Sequence, residues 1–486
     1  MTTMDDTETR VEHDSLGQWL IPHEVYWGIH TARAIDNFPI TRRYIGEEPK
    51  FVRAIAEVKR AAAEVNIELG LIKKEVGQAI VEACVRVESN QYDSHFIIDP
   101  IQGGAGTSTN MNANEIIANL ALEILGYDKG RYDIIHPVDD VNRSQSTNDV
   151  YPTSIKITCI RMIDEFCLSV KELCDSIEAK AEELADVLII ARTQLQDAVP
   201  ITLKQVFSAQ SAMLKRLLSG FEFCKRTLSE IHLGGTAIGT GINTEPRYAE
   251  MSCKRLSDIT GLDLFQASNY VAATQDTAVF VGFSNTLKQF AITLSKICSD
   301  LRLMSSGPQA GFGDIQLPPR AAGSSVMPGK VNPVIPEVVN QICFQVIGND
   351  LTISLAAEGG QLQLNAFEPI MAKCLFESCH YLTTGCQTLD RSCVRGITAD
   401  REKLADRVSR SVSLATALSP IIGYEEASNL AKYALATSRT IKSLALENND
   451  ISEKEIDDAL SSYSLTHPSH QYPRSKKKSS PPNQKK

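Results

Sequence analysis

IDEFCLSVKELCDSIEAKAEELADVL, residues 163–188, is the stretch that decides the fold. Ile163, Phe166, Val170, Leu173, Ile177, Ala181, Leu184 and Leu188 step by three or four residues, and the positions between them are mostly charged. That spacing lays one apolar stripe along a single long helix of about seven turns. A second stripe follows: Phe280, Phe283, Leu287, Phe290, Leu294, Ile297, Leu301 and Met304. Its steps alternate between three and four, the seam of a near-antiparallel bundle or coiled coil. Helices this long predict a rod-like bundle, and a lone bundle would leave apolar surface bare, so further subunits are expected to complete it. Strand-like runs are short and few, and aromatic residues are only 6%, which also points to a mainly α protein.

The chain has 486 residues, more than one core usually holds, so two or three domains are expected. With 49 basic and 59 acidic residues the net charge is −10, a poor footing for a nucleic-acid binder. No run approaches the ~20 apolar residues of a membrane span. The polar, acidic start has no apolar signal-type segment, so a cytoplasmic protein is expected. The twelve cysteines are scattered without a CxxC pair, which indicates neither a disulfide framework nor a zinc ribbon. Cys379, Cys386 and Cys393 recur every seven residues and read as buried thiols on one helical face. The tail 474–486 carries six basic and no acidic residues and reads as a disordered, solvated segment.

Residues 307–333 hold five glycines and five prolines and cannot be helix interior. A long irregular loop inside a helical protein is usually functional or disordered, and the helices that flank this one, with Val326, Met327, Val331 and Val334 within or beside it, favour function. Within it lies GSSVMPGKVNP (323–333). Two other polar segments stand apart from it, GGAGTSTNMN (103–112) and NRSQSTND (142–149). Capping and turn chemistry would use many of the same residue types. Phosphate-binding readings fail on spacing: five residues separate Gly323 from Gly329, Val331 follows Lys330, and 103–106 lacks the GxGxxG pattern. A set of neutral donors with one lysine suits a small carboxylate.

The 323–333 segment resembles GSSxMPxKxNP, the signature of the aspartase/fumarase superfamily. The other two segments resemble its GxGTSxNMN and QSTND regions, and RTQLQDAVP (192–200) and GGTAIGTG (234–241) fit as well. The resemblance runs from about Gly17 to Gly423 and is looser beyond 425. Gln309 stands where relatives often have arginine. Within the superfamily, VIPEVVNQ (334–341), GQLQLN (360–365) and TQLQDA (193–198) look aspartase-like. Fumarases place at Gln194 a histidine that pairs with a glutamate matching Glu337. A hydratase needs such a titrating pair to move a proton at water, and glutamine cannot titrate. Gln194 therefore weighs against hydration of fumarate, the first alternative. A non-catalytic structural homologue is the second, and the presence of Ser324 and Lys330 weighs against it.

The resemblance implies reversible anti elimination of ammonia from L-aspartate through an aci-carboxylate, with Ser324 as the base for the C3 proton. It implies that Thr107, Ser146, Thr147 and Ser325 hold the β-carboxylate and that Lys330 and Asn332 hold the α-carboxylate. Asn148 and Gln194 would face the amino group, and Thr193 and Met327 complete the binding set. No cofactor is required. Mg²⁺ enters as an activator in some members, and no ligand set for it is legible. The implied fold has a mixed, mostly helical N-terminal domain (1–145), a central bundle (146–399) and a small helical C-terminal domain (400–473). It is completed as a homotetramer whose active sites draw on three subunits, with no nucleic acid or membrane partner.

Overall fold

The computed structural model describes residues 8–323, 326–447 and 451–468. Ser324, Ser325 and the basic tail lie outside the described residues. In chain order the elements begin with β1 (Thr9–Asp14), β2 (Gly17–Pro22), α1 (Ile29–Asn37), α2 (Pro49–Glu68), α3 (Lys74–Glu88), α4 (Thr107–Ile124) and α5 (Thr147–Glu183). Next come β3 (Leu188–Thr193), β4 (Gln196–Thr202), α6 (Leu203–Lys215), α7 (Leu218–Leu228), β5 (Glu230–Ile231), α8 (Tyr248–Thr260), β6 (Phe265–Gln266) and α9 (Tyr270–Gln275). The chain continues through α10 (Ala278–Met304), α11 (Val334–Glu358), α12 (Glu368–Ser392), α13 (Arg401–Ser409), α14 (Ala415–Ile422) and α15 (Tyr424–Thr437). Three short helices follow, α16 (Ile441–Ala445), α17 (Glu453–Ala459) and α18 (Ser462–Thr466). The strands form only two-stranded sheets, β1–β2 and β3–β4 antiparallel and β5–β6 parallel. The protein is mainly α.

The chain divides into two compact units, one of Met1–Leu168, Leu217–Ile292 and Ile342–Thr384, the other of Ser169–Arg216, Thr293–Gln341 and Gly385–Lys486. Four of the five boundaries fall inside α5, α10, α11 and α12, and the fifth lies between α6 and α7. The positions expected to begin new domains coincide with caps. The Ser146 side chain accepts from the Asn148 N–H before α5, and the Asp400 side chain caps α13.

Both stripes are buried as their periodicity predicts. On α5, Ile163, Phe166, Val170, Leu173, Ile177 and Ala181 are buried, and on α10 so are Phe280, Phe283, Leu287, Phe290, Leu294, Ile297 and Leu301. One end of the first stripe departs from the expectation. α5 stops at Glu183, and Leu188 opens β3, paired with Thr202. The Val187-Leu188-Ile189-Ile190 run is rich in β-branched residues, which favour a pleated strand over a helix terminus.

In the first unit, the rings of Phe166, Phe221 and Phe290 meet edge-on, with centroids 4.9 and 4.8 Å from Phe166. Burying each such side chain is worth roughly 1.5–3 kcal/mol. Around that core α2 packs on α3 and α8, and α3 packs on α4. In the second unit, Ile190 of β3 packs with Leu414, Leu418, Ile441, Leu444 and Ile456. There the buried Asp314 accepts from Arg192 at 2.5 Å and from Arg407 at 2.8 Å. Cys379, Cys386 and Cys393 are buried and are not in disulfides. No helix among the described residues is long and apolar enough to cross a membrane.

Candidate active site

Within the first unit the site is built on two helix N-termini. Gly104, Ala105 and Gly106 all have positive φ (87°, 54° and 88°), which turns the chain abruptly into α4 at Thr107. A Cβ on Gly106 would lie 2.5 Å from ring carbons of Tyr151, so only glycine lets α4 begin this close to α5. One turn into α4, Asn110 Nδ2 donates to Thr147 Oγ1 at 3.0 Å. Thr107 and Thr147, the first residues of their helices, are thereby held on adjoining N-terminal turns. Each N-terminus carries roughly half a positive charge and favours an anion.

Ser146, Thr147 and Asn148 are fixed from below by Asp149. Asp149 Oδ1 accepts from Ser146 N at 3.0 Å, and Oδ2 accepts from Gly234 N at 3.1 Å and Thr236 N at 2.9 Å. One carboxylate thus ties the 142–149 segment to the GGTAIGTG loop. Burial pushes Asp149 up to about 6, while these three donors and the nearby Lys59 pull it down. Asn148 Nδ2 donates to the Ala237 carbonyl at 2.7 Å, and the ring nitrogen His232 Nε2 lies 2.9 Å from the Asn148 carbonyl.

Beneath this lies a polar hub. The fully buried Lys59 donates from Nζ to Asn142 Oδ1 at 2.8 Å, and Asn110 and Asn114 donate to the same oxygen at 3.2 and 3.3 Å. Burial pushes Lys59 down to about 7, opposed by the attraction of Asp149.

In the second unit the remaining candidates sit on two loops. Thr193 and Gln194 occupy the tip of the β3–β4 hairpin. Gln194 and Leu195 both have positive φ (54° and 61°), the conformation a type I′ turn requires and one that Asn-Gly normally supplies. Non-glycine residues held there store about 1–3 kcal/mol each. The tip is exposed, with Leu195 64% accessible. In the other loop Gly323 has φ 84°, and a Cβ there would come 2.4 Å from the Lys330 carbonyl oxygen. Gly323 and Lys330 therefore close the neck of the loop that bears Ser324 and Ser325, both outside the described residues. Met327 and Lys330 are exposed and Asn332 is half-buried, just ahead of α11. No hydrogen bond joins Thr193 or Gln194 to Lys330 or Asn332 among the described residues. A large open cavity of about 1270 Å³ in the first unit, near Asp164, Phe223, Lys225 and Phe265, is lined by none of the candidates.

Comparison with known proteins bears on what these segments are for. Residues 17–348 match the family model described as Lyase, and residues 414–467 match that described as Fumarase C C-terminus. The chain is 49% identical over 459 residues to an aspartate ammonia-lyase of Helicobacter pylori, covering 94% of this chain and 98% of the relative. It is 45% identical over 462 residues to the aspartate ammonia-lyase of Escherichia coli K12, covering 95% and 97%. The chain belongs to the aspartase/fumarase superfamily. Among superfamily structures, a cobalt-bound fumarate lyase:delta crystallin from Brucella melitensis superposes with a TM-score of 0.91 at 48% identity, covering 93% of this chain and 98% of that one. A class II fumarase from Schistosoma mansoni gives 0.87 at 33% identity, covering 93% and 98%. The match at 414–467 carries the superfamily likeness past Gly423, where motif reading had found only a loose one.

The site also contains residues that motif reading passed over. Lys59 had a legible signal: it falls in the buried phase of α2, one turn after Ile55 and one before Ala62 and Ala63, where a lysine is out of place unless it has a polar partner. Asp149 was quoted as part of a motif without a role. Asn142 was likewise quoted within a motif without a role, and His232 had no local signal, because its partner lies 84 residues away. Chemically, the first-unit cluster offers hydroxyls at two helix N-termini and an oriented amide. Among the described residues no group of three or more His, Cys, Asp or Glu side chains is placed to hold a metal ion.

Proposed function

We propose that the chain is a carbon–nitrogen lyase that interconverts L-aspartate with fumarate and ammonia. The observation that carries this reading is the fixed amide of Asn148. One of the two Nδ2 hydrogens is donated to the Ala237 carbonyl, which fixes the plane of the amide and offers Oδ1, an acceptor, to a ligand, and an ammonium group offers only donors. High identity to aspartate ammonia-lyases over nearly the whole chain supports the same choice.

In this mechanism Ser324, as alkoxide, takes the C3 proton, and the electron pair delocalises into the β-carboxylate as an aci-carboxylate. Thr107, Ser146, Thr147 and Ser325 donate to that group. The α4 and α5 N-termini favour its second negative charge, as preorganised dipoles do for an oxyanion. Lys330 and Asn332 hold the α-carboxylate. Asn148 and Gln194 face the amino group, and Thr193 and Met327 line the pocket. The aci-carboxylate then collapses, the C2–N bond breaks on the opposite face, and ammonia leaves. No cofactor takes part, and Mg²⁺ acts at most as an activator.

The working form is proposed to be a homotetramer in the cytoplasm, with each active site drawing segments from three subunits. Two features support this. Among the described residues no hydrogen bond joins the exposed Gln194 hairpin tip to the Lys330 loop, and α11 exposes Phe344, Leu351 and Leu355 along one face, a stripe suited to burial against another copy. The test is product stoichiometry. L-aspartate should yield fumarate and ammonia one to one, and Ser324→Ala should lower the rate at least about a thousandfold with assembly retained. Ammonia without fumarate would reject the elimination, and a near-normal Ser324→Ala rate would reject that base.

A further inference from the structure

We propose that His232 is a positioning residue for ammonia: it holds the main chain of Asn148 so that the Asn148 side chain presents Oδ1 to the substrate's nitrogen. This rests on the reading of Asn148 given above and adds a layer behind it.

The argument begins with hydrogen-bond valence. Asn148 sits in the first turn of α5, and its carbonyl can only accept. His232 Nε2 lies 2.9 Å from that oxygen, so Nε2 carries the proton and the ring is held in one tautomer. The other nitrogen, Nδ1, is buried and has no hydrogen-bond partner among the described residues. A fully buried ring that donates from Nε2 and has no partner at Nδ1 is neutral. Its surroundings keep it so, because burial comes first and the ammonium of Lys156 second in disfavouring the imidazolium. Lys156 itself donates to the Glu230 carbonyl at 2.7 Å, two residues before His232.

The Asn148 residue is thus gripped at two points from one loop. His232 takes its carbonyl and Ala237 takes its Nδ2, while the neighbouring Asp149 draws in Gly234 and Thr236. With both grips in place the amide has one orientation. Without His232 the Asn148 carbonyl loses this partner, the Asn148 main chain is held only through its N–H to Ser146 Oγ and through the bonds of Asp149, and the aim of Oδ1 loosens. The consequence is specific to nitrogen. Fumarate has no amino group, so its binding does not depend on where Asn148 Oδ1 points.

The reverse reaction reads this directly, since ammonium and fumarate have separate Michaelis constants. His232→Leu keeps bulk but removes the donor. It should raise the KM for ammonium about five- to tenfold, with the KM for fumarate within about twofold of wild type. His232→Gln, whose amide reaches the Nε2 position, should restore most of the ammonium KM. If His232→Leu does not assemble, His232→Asn, too short to reach the carbonyl, replaces it with the same expectation. Equal rises in both constants, or no rise in either, would overturn the proposal. So would failure of His232→Gln to recover relative to the donor-less variant. Asn148→Ala is measured alongside. If it leaves the ammonium constant unchanged, the underlying reading of Asn148 fails, independently of His232.

Discussion

At Gly106 one hydrogen atom decides whether two helix N-termini can meet. Gly106→Ala would drive a methyl into the Tyr151 ring at 2.5 Å and impose a positive φ on a residue that resists it. The expected result is loss of most kcat/KM with the fold retained, checked by kinetics beside circular dichroism. Lys330→Ala should raise the KM for aspartate about tenfold or more, because a charged hydrogen bond to a carboxylate is lost. His232 also sets a pH dependence. Its folded-state pKa lies at about 4, against 6.5 in the unfolded chain. Below 6.5 the unfolded chain takes up a proton that the fold refuses. Stability present above pH 6.5 is therefore lost as pH falls toward 4, by on the order of 3 kcal/mol. Urea midpoints at pH 7 and 4.5 should differ less in His232→Gln than in wild type. Hydroxyl and amide residues in the three motifs were legible in the sequence because composition and order mark them. Lys59 and His232 were not assigned, because what defines each is a partner brought near only by the fold.

Among elements, the β3–β4 hairpin shows where local preference yields to use. Gln194-Leu195 adopts a turn that Asn-Gly would adopt without strain, and the tip is exposed. Strain kept at such a place marks a functional position. Leu195→Gly should stabilise the isolated hairpin geometry, by about 1 kcal/mol after the added backbone entropy of glycine. It should also lower kcat/KM, because the tip gains freedom. Thermal unfolding and steady-state rates on the same sample check both. The long helices were the most legible elements: fourteen of the sixteen stripe residues lie on α5 and α10 or at once beyond and are buried. Met304 is half-buried at the end of α10. Leu188 was misread because a helical period extends by accident into any apolar run, and only the β-branched residues after it signal the switch to a strand.

For the whole molecule, the account requires assembly. Phe344, Leu351 and Leu355 recur at intervals of seven and four on α11 and stay exposed in a single copy. Leu351→Glu should shift the proposed tetramer to smaller species in sedimentation and abolish activity together with assembly. An active monomer would contradict the proposed sharing of sites. The mainly α architecture followed from periodicity, whereas the division into units did not, since four of the five boundaries run through helices. The central claim is the choice of aspartate over malate, resting on the near-full-length likeness to aspartate ammonia-lyases and on a glutamine that cannot titrate. The most direct test gives purified wild-type protein L-aspartate in one cuvette and L-malate in another and follows the ultraviolet absorbance of fumarate. Fumarate from aspartate alone is predicted; fumarate from malate alone would contradict the account.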